Sequence, residues 1–368
     1  MKKFSASKYL WLTFTLLGLC VIGYSSFLIV SDPFGIFRIF EKQGWNLQKP
    51  DYHLHTRQAK PLQSYLLQPR VAFFGSSRAE YLAPDIFLSR TDDRQMFNFG
   101  LSSCTPLENS LLVKYACKNF PLEEAYFSLD FYTYTSGIPF YYSGLDSLLL
   151  SGKRSVVSSV MPLVITADAL QKALECIDLN ERDSLGTTIS YHYNRAGSRK
   201  GDPLKEKLKT KGRDWLNYEY EYSRYQFDTL YNSDVCRLEP QRLTRLADAI
   251  KTLKDKSECQ LHAYTSPMHV INFNQLLLSR AWPHYLDFLA FTSRQTDFIF
   301  FGGNNMYTAD SALFWDVHHA RAEMFAHMSP YFSSPKTQPD STLWGILVTQ
   351  RNFDALRSEI EKYRQKIL

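Results

Sequence analysis

The first pattern in the chain is an absence of charge. From Tyr9 to Ser31 no residue is charged, and Lys2, Lys3 and Lys8 precede the run. Its length matches the roughly 20 residues a helix needs to cross a bilayer. Trp11 and Tyr24 stand where interfacial aromatic residues anchor such a helix, and the basic flank predicts an N-terminus inside with the remainder outside the cytoplasm. Asp32-Pro33-Phe34-Gly35 supplies the breakers that end it. A cleaved signal peptide is the competing reading. Its apolar region is about 7–15 residues and ends in a small-residue site, whereas this run is longer and Tyr24 to Val30 offers no such site. A buried core helix fits neither the length nor the position.

Residues 36–69 are polar and mixed, and 32–69 reads as a juxtamembrane connector that lays down the first part of the domain. An α/β pattern then begins. An apolar run from Arg70 to Phe74 predicts a strand, and Gln95 to Phe99 a second that closes on Gly100. Thr105-Pro106 opens a helix through about Asn119, with Leu107, Leu111, Leu112 and Tyr115 at helical spacing. Ala125 to Asp130 is a third strand. Strand–turn–helix units at this spacing argue for βαβ topology and a parallel sheet. From Phe131 to Cys236 the alternation breaks down into an insertion that covers one end of the sheet. It holds Tyr132, Tyr134, Tyr141 and Tyr142, a helical stretch around Val164 to Ile177, a basic loop from Arg199 to Arg213, and Tyr218, Tyr220, Tyr222, Tyr225 and Tyr231.

The pattern resumes with a helix from Glu239 to about Lys254 and a strand from Cys259 to Tyr264, ending at Ser266-Pro267-Met268-His269. A helical region from Asn272 to Arg294 is interrupted at Pro283. Asp297 to Phe301 reads as the last strand, and Arg321 to Met328 as a helix. Pro330, Pro335 and Pro339 mark a linker, and 343–368 carry a terminal helical pattern. The chain thus divides into an anchor (1–31), a connector (32–69), an α/β domain (70–330, with the insertion at 131–236) and a linker with a C-terminal helix (331–368).

Composition narrows the function. Hydrophobic residues make up 45% and charged residues 21%, which is globular and not disordered. A net charge of +5 is spread too thinly for nucleic acid, and no nucleic-acid-binding signature is present. The six cysteines include no CxxC pair, so no zinc or redox site is expected. His53 and His55 have no ligand pattern beside them, and neither metal nor cofactor is expected. Outside the cytoplasm one disulfide is expected, Cys176 with Cys236. The basic loop reads as solvated surface or as a contact for anionic glycan or lipid headgroups. The tyrosines of the insertion read as packing residues or as a carbohydrate-stacking wall.

Candidate chemistry sits where the first strand runs into Gly75-Ser76-Ser77-Arg78. A strand ending in a small-residue turn puts its last side chains at the carboxyl edge of the sheet, where open α/β sheets carry their sites. Ser76 or Ser77 is a candidate nucleophile, provided that a base, an orienting acid and oxyanion donors exist elsewhere. Asp316-Val317-His318-His319 offers both a carboxylate and an imidazole. The bland alternatives are helix caps at Ser77 and Asp316. Arg78 either binds an anionic group or pairs with Glu80. His269 ends a strand at the same edge, as a cleft residue or a structural one.

The order of these blocks resembles the SGNH/GDSL hydrolase superfamily over about residues 65–330. Gly75-Ser76-Ser77 is similar to its first block and implies Ser77 as nucleophile. Asn98-Phe99-Gly100 is similar to the second, which implies the Gly100 amide, with that of Ser77, as oxyanion donors. Asp316-x-x-His319 is similar to the fifth, which implies His319 rather than His318 as base. Ser76, Arg78, Asn98, Asp130, His269 and His318 are the further cleft candidates. The resemblance implies a three-layer, flavodoxin-like α/β sandwich. The membrane anchor ending at Asp32-Pro33, the Gly75-Ser76-Ser77-Arg78 form and the turn at Ser266 to His269 are similar to the membrane-anchored DltD and alginate-acetylation type. So is the spacing from Gly302-Gly303-Asn304-Asn305 to Asp316.

That group implies a serine O-acyltransferase or esterase, with acetyl as the acyl group. It would act on an exported cell-envelope or exopolysaccharide glycan, on the periplasmic side of a bacterial inner membrane, beside a membrane-bound O-acyltransferase. There is one departure. The third block of the superfamily supplies an asparagine, and here the strand end reads Leu129-Asp130-Phe131-Tyr132. An ionised aspartate cannot donate, and one lost donor costs about 10²–10³ in rate. The alternative is a non-catalytic accessory protein of the same fold that scaffolds the acyltransferase complex. A lipase is the poorer reading, since no apolar acyl channel is legible.

Overall fold

The computed structural model describes residues 6–81, 95–137, 144–183, 193–199, 213–226, 228–229, 232 and 236–368. Lys2, Lys3, Tyr141, Tyr142, Tyr231 and all but the ends of the Arg199–Arg213 loop lie outside them. The molecule is an α/β protein built on a six-stranded sheet, preceded by one long apolar helix, α1 (Ala6–Ser31), a candidate membrane span.

The strands are β1 (Val71–Phe74), β2 (Met96–Asn98), β3 (Glu124–Leu129), β4 (Gln260–Thr265), β5 (Phe298–Phe301) and β6 (Trp344–Val348), in the order β2-β1-β3-β4-β5-β6. The first five are parallel and β6 runs antiparallel to β5. In this order β1 lies between β2 and β3, and chain direction across the sheet reverses there. That crevice, at the carboxyl ends of the strands, is where such sheets bind ligands. β1 and β5 are unbroken apolar runs, buried throughout, because both faces of the sheet are covered. Ala72, Phe74, Phe127 and Leu129 join the larger core. On the other face Val71, Phe73, Tyr126, Tyr264 and Phe301 meet Met324, Phe325, Met328 and Phe332.

Around the sheet lie α2 (Tyr52–Leu67), α3 (Ser77–Glu80), α4 (Pro106–Asn119), α5 (Ser147–Leu150), α6 (Val156–Ile165), α7 (Ala167–Arg182) and α8 (Arg213–Gln226). They are followed by α9 (Pro240–Asp255), α10 (Val270–Leu278), α11 (Trp282–Gln295), α12 (Ala322–Ser333) and α13 (Phe353–Ile367). The start expected at Thr105-Pro106 is a full capping box. The Thr105 side chain accepts from the Glu108 amide, and Glu108 accepts from the Thr105 amide.

Several expectations need correction. The 32–69 segment contains a helix that was not expected there, α2, whose Tyr52, Ala59 and Leu62 belong to the core. The helical stretch expected around Val164 to Ile177 is two helices, α6 and α7. The break expected at Pro283 falls earlier, and Pro283 sits in the first turn of α11, where its missing N–H costs nothing. Helix α12 continues through Pro330 to Ser333. β5 is not the last strand, since Trp344–Val348 adds an antiparallel edge before α13. All six cysteines are free, and the Cys176 thiol donates to the Gln48 carbonyl (3.3 Å) in place of bonding Cys236.

Helix α1 is exposed along its first two thirds and joins the domain only at its end. The Tyr24 hydroxyl donates to the Thr166 carbonyl (2.7 Å), Leu28 is buried in the core, and Asn46 Nδ2 donates to the Val30 carbonyl (2.8 Å).

Candidate active site

The turn after β1 is shaped by crowding. Gly75 has φ +149°, and a Cβ there would lie 2.6 Å from Ser128 Cβ on β3, so no side chain fits. Ser76 is the N-cap of α3. Its Oγ accepts from the Arg78 amide (3.3 Å), and its own amide donates to Asp130 Oδ2 (3.0 Å). With Ser76 occupied as the cap, Ser77 opens the helix with its hydroxyl turned to His319, and Ser77 Oγ lies 2.8 Å from His319 Nε2.

The partner loop closes on itself before α12. Phe314 bridges Ala320, and the Trp315 amide donates to the His319 carbonyl (2.8 Å). Asp316 is fully buried inside this loop. Its Oδ1 accepts the amides of His318 (2.7 Å) and His319 (2.8 Å), and its Oδ2 stands 2.8 Å from His319 Nδ1. Asp316 therefore caps its own loop, and the N-cap of α12 is Arg321. An ionised carboxylate only accepts, so Nδ1 carries the ring proton and the Nε2 lone pair faces the Ser77 hydroxyl. Ser77, His319 and Asp316 thus form one hydrogen-bonded chain.

The other candidates are distributed around it. His318 turns away and takes a bond from Asn272 Nδ2 (2.8 Å). His269 is a buried cap of α10: its Nδ1 accepts the Ile271 amide (3.3 Å), its own amide donates to the Val317 carbonyl (3.1 Å), and its ring packs on Phe314. It supports the loop that carries Asp316 and does not reach Ser77. Arg78 does not pair with Glu80. Its guanidinium lies 4.7 Å over the Tyr132 ring, and among the described residues no carboxylate pairs with it. Burial pushes the Tyr132 phenol up to about 12, against the opposing pull of Arg78. The Tyr81 ring packs against His319, with Arg199 above it. The insertion also contributes, through Glu219 on α8, which accepts the Val317 amide (3.4 Å).

The expected oxyanion donors fare unequally. The Gly100 amide donates to Asn98 Oδ1 (2.8 Å), and a Cβ on Gly100 would lie 2.7 Å from the Glu80 nitrogen. Gly100 is glycine to let β2 close on α3, and its amide is engaged there, which corrects the donor role expected of it. Asn98 is a buried bracket, not a cleft residue, and its Nδ2 donates to the Ala79 carbonyl (2.8 Å). Asp130 holds the Ser76 amide through Oδ2, while its buried Oδ1 has no partner among the described residues. The Ser77 amide accordingly has no acceptor among the described residues and is the donor left of the two.

Beneath α3 lies a network with no local signal in the sequence. Lys60, fully buried on α2, bonds the Gly100 carbonyl and stands 3.3 Å from the equally buried Glu80 Oε1. Tyr193 (3.0 Å) and Ser102 (2.8 Å) donate to the same carboxylate. Burial pushes the Lys60 amine down, opposed by the Glu80 charge beside it. A lysine within a polar helix reads as surface in sequence, and no local signal marks its partner 20 residues on.

Among the described residues no group of three or more histidine, cysteine or acidic side chains is placed to hold a metal. His53 Nδ1 donates to the Pro50 carbonyl (3.0 Å), and His55 packs against Phe34. Compared with models of known protein families and with curated proteins, the chain matches none.

Proposed function

We propose that this chain is a membrane-anchored serine O-acyltransferase or esterase. The observation that carries the reading is the unbroken chain Asp316–His319–Ser77, with heavy-atom separations of 2.8 Å at both links. His319 Nε2 takes the Ser77 proton as Oγ attacks an ester carbonyl, and buried Asp316 stabilises the imidazolium that forms. The Ser77 amide faces the developing oxyanion. The imidazolium returns its proton to the leaving alcohol, which leaves an acyl-serine. A sugar hydroxyl or water then attacks by the reverse route. Transfer in place of hydrolysis requires a cleft that excludes water, and the insertion that reaches the Asp316 loop through Glu219 is suited to that.

The resemblance in the motifs supports the finer reading: acetyl as the acyl group, an exported glycan as acceptor, a periplasmic site and a membrane-bound O-acyltransferase as partner. The accessory-scaffold reading is favoured by one observation, the engaged Gly100 amide, which leaves the oxyanion short of a donor. One variant separates the two. In detergent, the full chain is expected to turn over p-nitrophenyl acetate, and Ser77→Ala to abolish it. Unchanged turnover in that variant removes Ser77 as nucleophile. Intact polymer acylation in cells carrying Ser77→Ala, when deletion of the chain abolishes it, establishes the scaffold.

A further inference from the structure

We infer that α6 (Val156–Ile165) lies in the bilayer interface beside α1, as a second membrane contact of the domain. The inference rests on reading α1 as a membrane span. Counting about 20 residues from Tyr9, the first after Lys8, brings the span to Leu28. The domain, however, begins to pack on α1 at Tyr24, through its bond to Thr166, with Phe27 packed against the core and Leu28 buried in it. The stretch shared by bilayer and domain is Tyr24 to Leu28, about 7 Å of helix at 1.5 Å per residue. Whatever surrounds α1 at that level sits at membrane depth, and an interfacial helix embeds by about 5–10 Å.

What surrounds it is α6, together with the start of α7. Helix α6 contains no charged residue. One side is accounted for by the core, where Val164 is buried and Val156, Val160 and Leu163 pack. The other side carries Val157, Met161 and Ile165, which are 70%, 43% and 47% exposed and four residues apart, so they form one stripe along the helix. Ser158 and Ser159 are the polar residues of the helix, and the stripe beside them is apolar along its whole length, a face that belongs against an apolar surrounding. The charges stand at its edge: Lys153 and Arg154 precede it, Lys153 exposed and Arg154 paired with Asp146 (3.1 Å), and Asp168 follows in the first turn of α7. The occupant of the stripe is therefore lipid, continuous with the lipid around α1. Two contacts, one across the bilayer and one along it, fix both the height and the tilt of the domain.

The test uses the full chain in phosphatidylcholine vesicles, with and without brominated acyl chains, which quench tryptophan on contact. In a Trp11→Phe background, Val157→Trp is expected to add a blue-shifted emission that bromine quenches several-fold. Glu175→Trp, on the polar side of α7, is expected to add one that bromine leaves alone. The difference made by native Trp11 reports α1 itself. If Trp11 is quenched and Val157→Trp is not, α1 spans the bilayer but the stripe faces water or a protein, and the inference falls. If Trp11 is not quenched, the span falls and the inference with it. Acetyl-ester turnover of the same samples reads the Ser77 chemistry separately.

Discussion

Asp316→Asn is the sharpest perturbation of the site, because the loop decides how the new amide points. Asp316 Oδ1 accepts two backbone amides at 2.7 and 2.8 Å. The asparagine carbonyl has to keep that position, since an NH₂ group there would face two donors. Its NH₂ then replaces Oδ2, 2.8 Å from His319 Nδ1, and presents an N–H where an acceptor stood. Nδ1 also lies 2.9 Å from Oδ1, so the new N–H competes with the retained carbonyl for it; where the N–H wins, the ring proton moves to Nε2, and Nε2 no longer takes the proton of Ser77. The fold loses one charge-assisted bond to a neutral one, worth about 1 kcal/mol. On the proposed function the reaction then loses its base, and the equivalent change in a Ser-His-Asp enzyme costs about 10⁴ in kcat, or about 5 kcal/mol at 1.36 kcal/mol per tenfold.

Asp316→Ala behaves differently. It strands two loop amides and Nδ1, at about 1–3 kcal/mol each, and is expected to lower stability by several kcal/mol as well as rate. The assay is p-nitrophenyl acetate turnover by the full chain in detergent, with urea unfolding of both variants alongside. An Asp316→Asn protein that keeps kcat within tenfold of the parent refutes the tautomer argument. One that unfolds like Asp316→Ala refutes the claim that the loop survives.

Two further predictions follow from packing and charge. Gly100→Ala places a methyl 2.7 Å from the Glu80 nitrogen. It should cost about 1–3 kcal/mol by overpacking and lower kcat by shifting α3, so a variant with parental stability and turnover contradicts the close fit. His262 on β4 is held below its ordinary 6.5 by burial, with Glu124 opposing. Between the two values the unfolded chain binds the proton more tightly, so this group's stabilisation is complete above about 6.5 and is lost as pH falls below it. His262→Phe, which can still stack on Tyr126, should flatten the fall in melting temperature between pH 7.5 and pH 5. An unchanged slope assigns that fall to other groups.

The parts that were legible in sequence are those whose signal is local. Strands β1 to β5 are short apolar runs bounded by turns, and each begins and ends within about two residues of the expected place. Ser77 and the Asp316–His319 loop could be named because each motif is contiguous, though their meeting spans 242 positions. What escaped is what depends on a distant partner. Helix α2 was hidden because Thr56, Lys60, Gln63 and Ser64 are buried as polar groups, which masks the apolar stripe. Strand β6 was absorbed into the helical periodicity of the residues after it. The engagement of the Gly100 amide depends on where the Asn98 side chain points, which no spacing records.

The junction between α1 and the domain has a consequence for reach. Had residues 32–69 been a flexible tether, the domain would have wandered over about 35 Å. Instead Asn46 binds the last turn of α1 and Leu28 is sealed in the core. The working volume of the cleft shrinks from a hemisphere to a fixed station. On the acyl-transfer proposal, the acceptor has to be delivered to that station, and a glycan emerging from an immediate neighbour in the bilayer meets this condition where a freely drifting one does not.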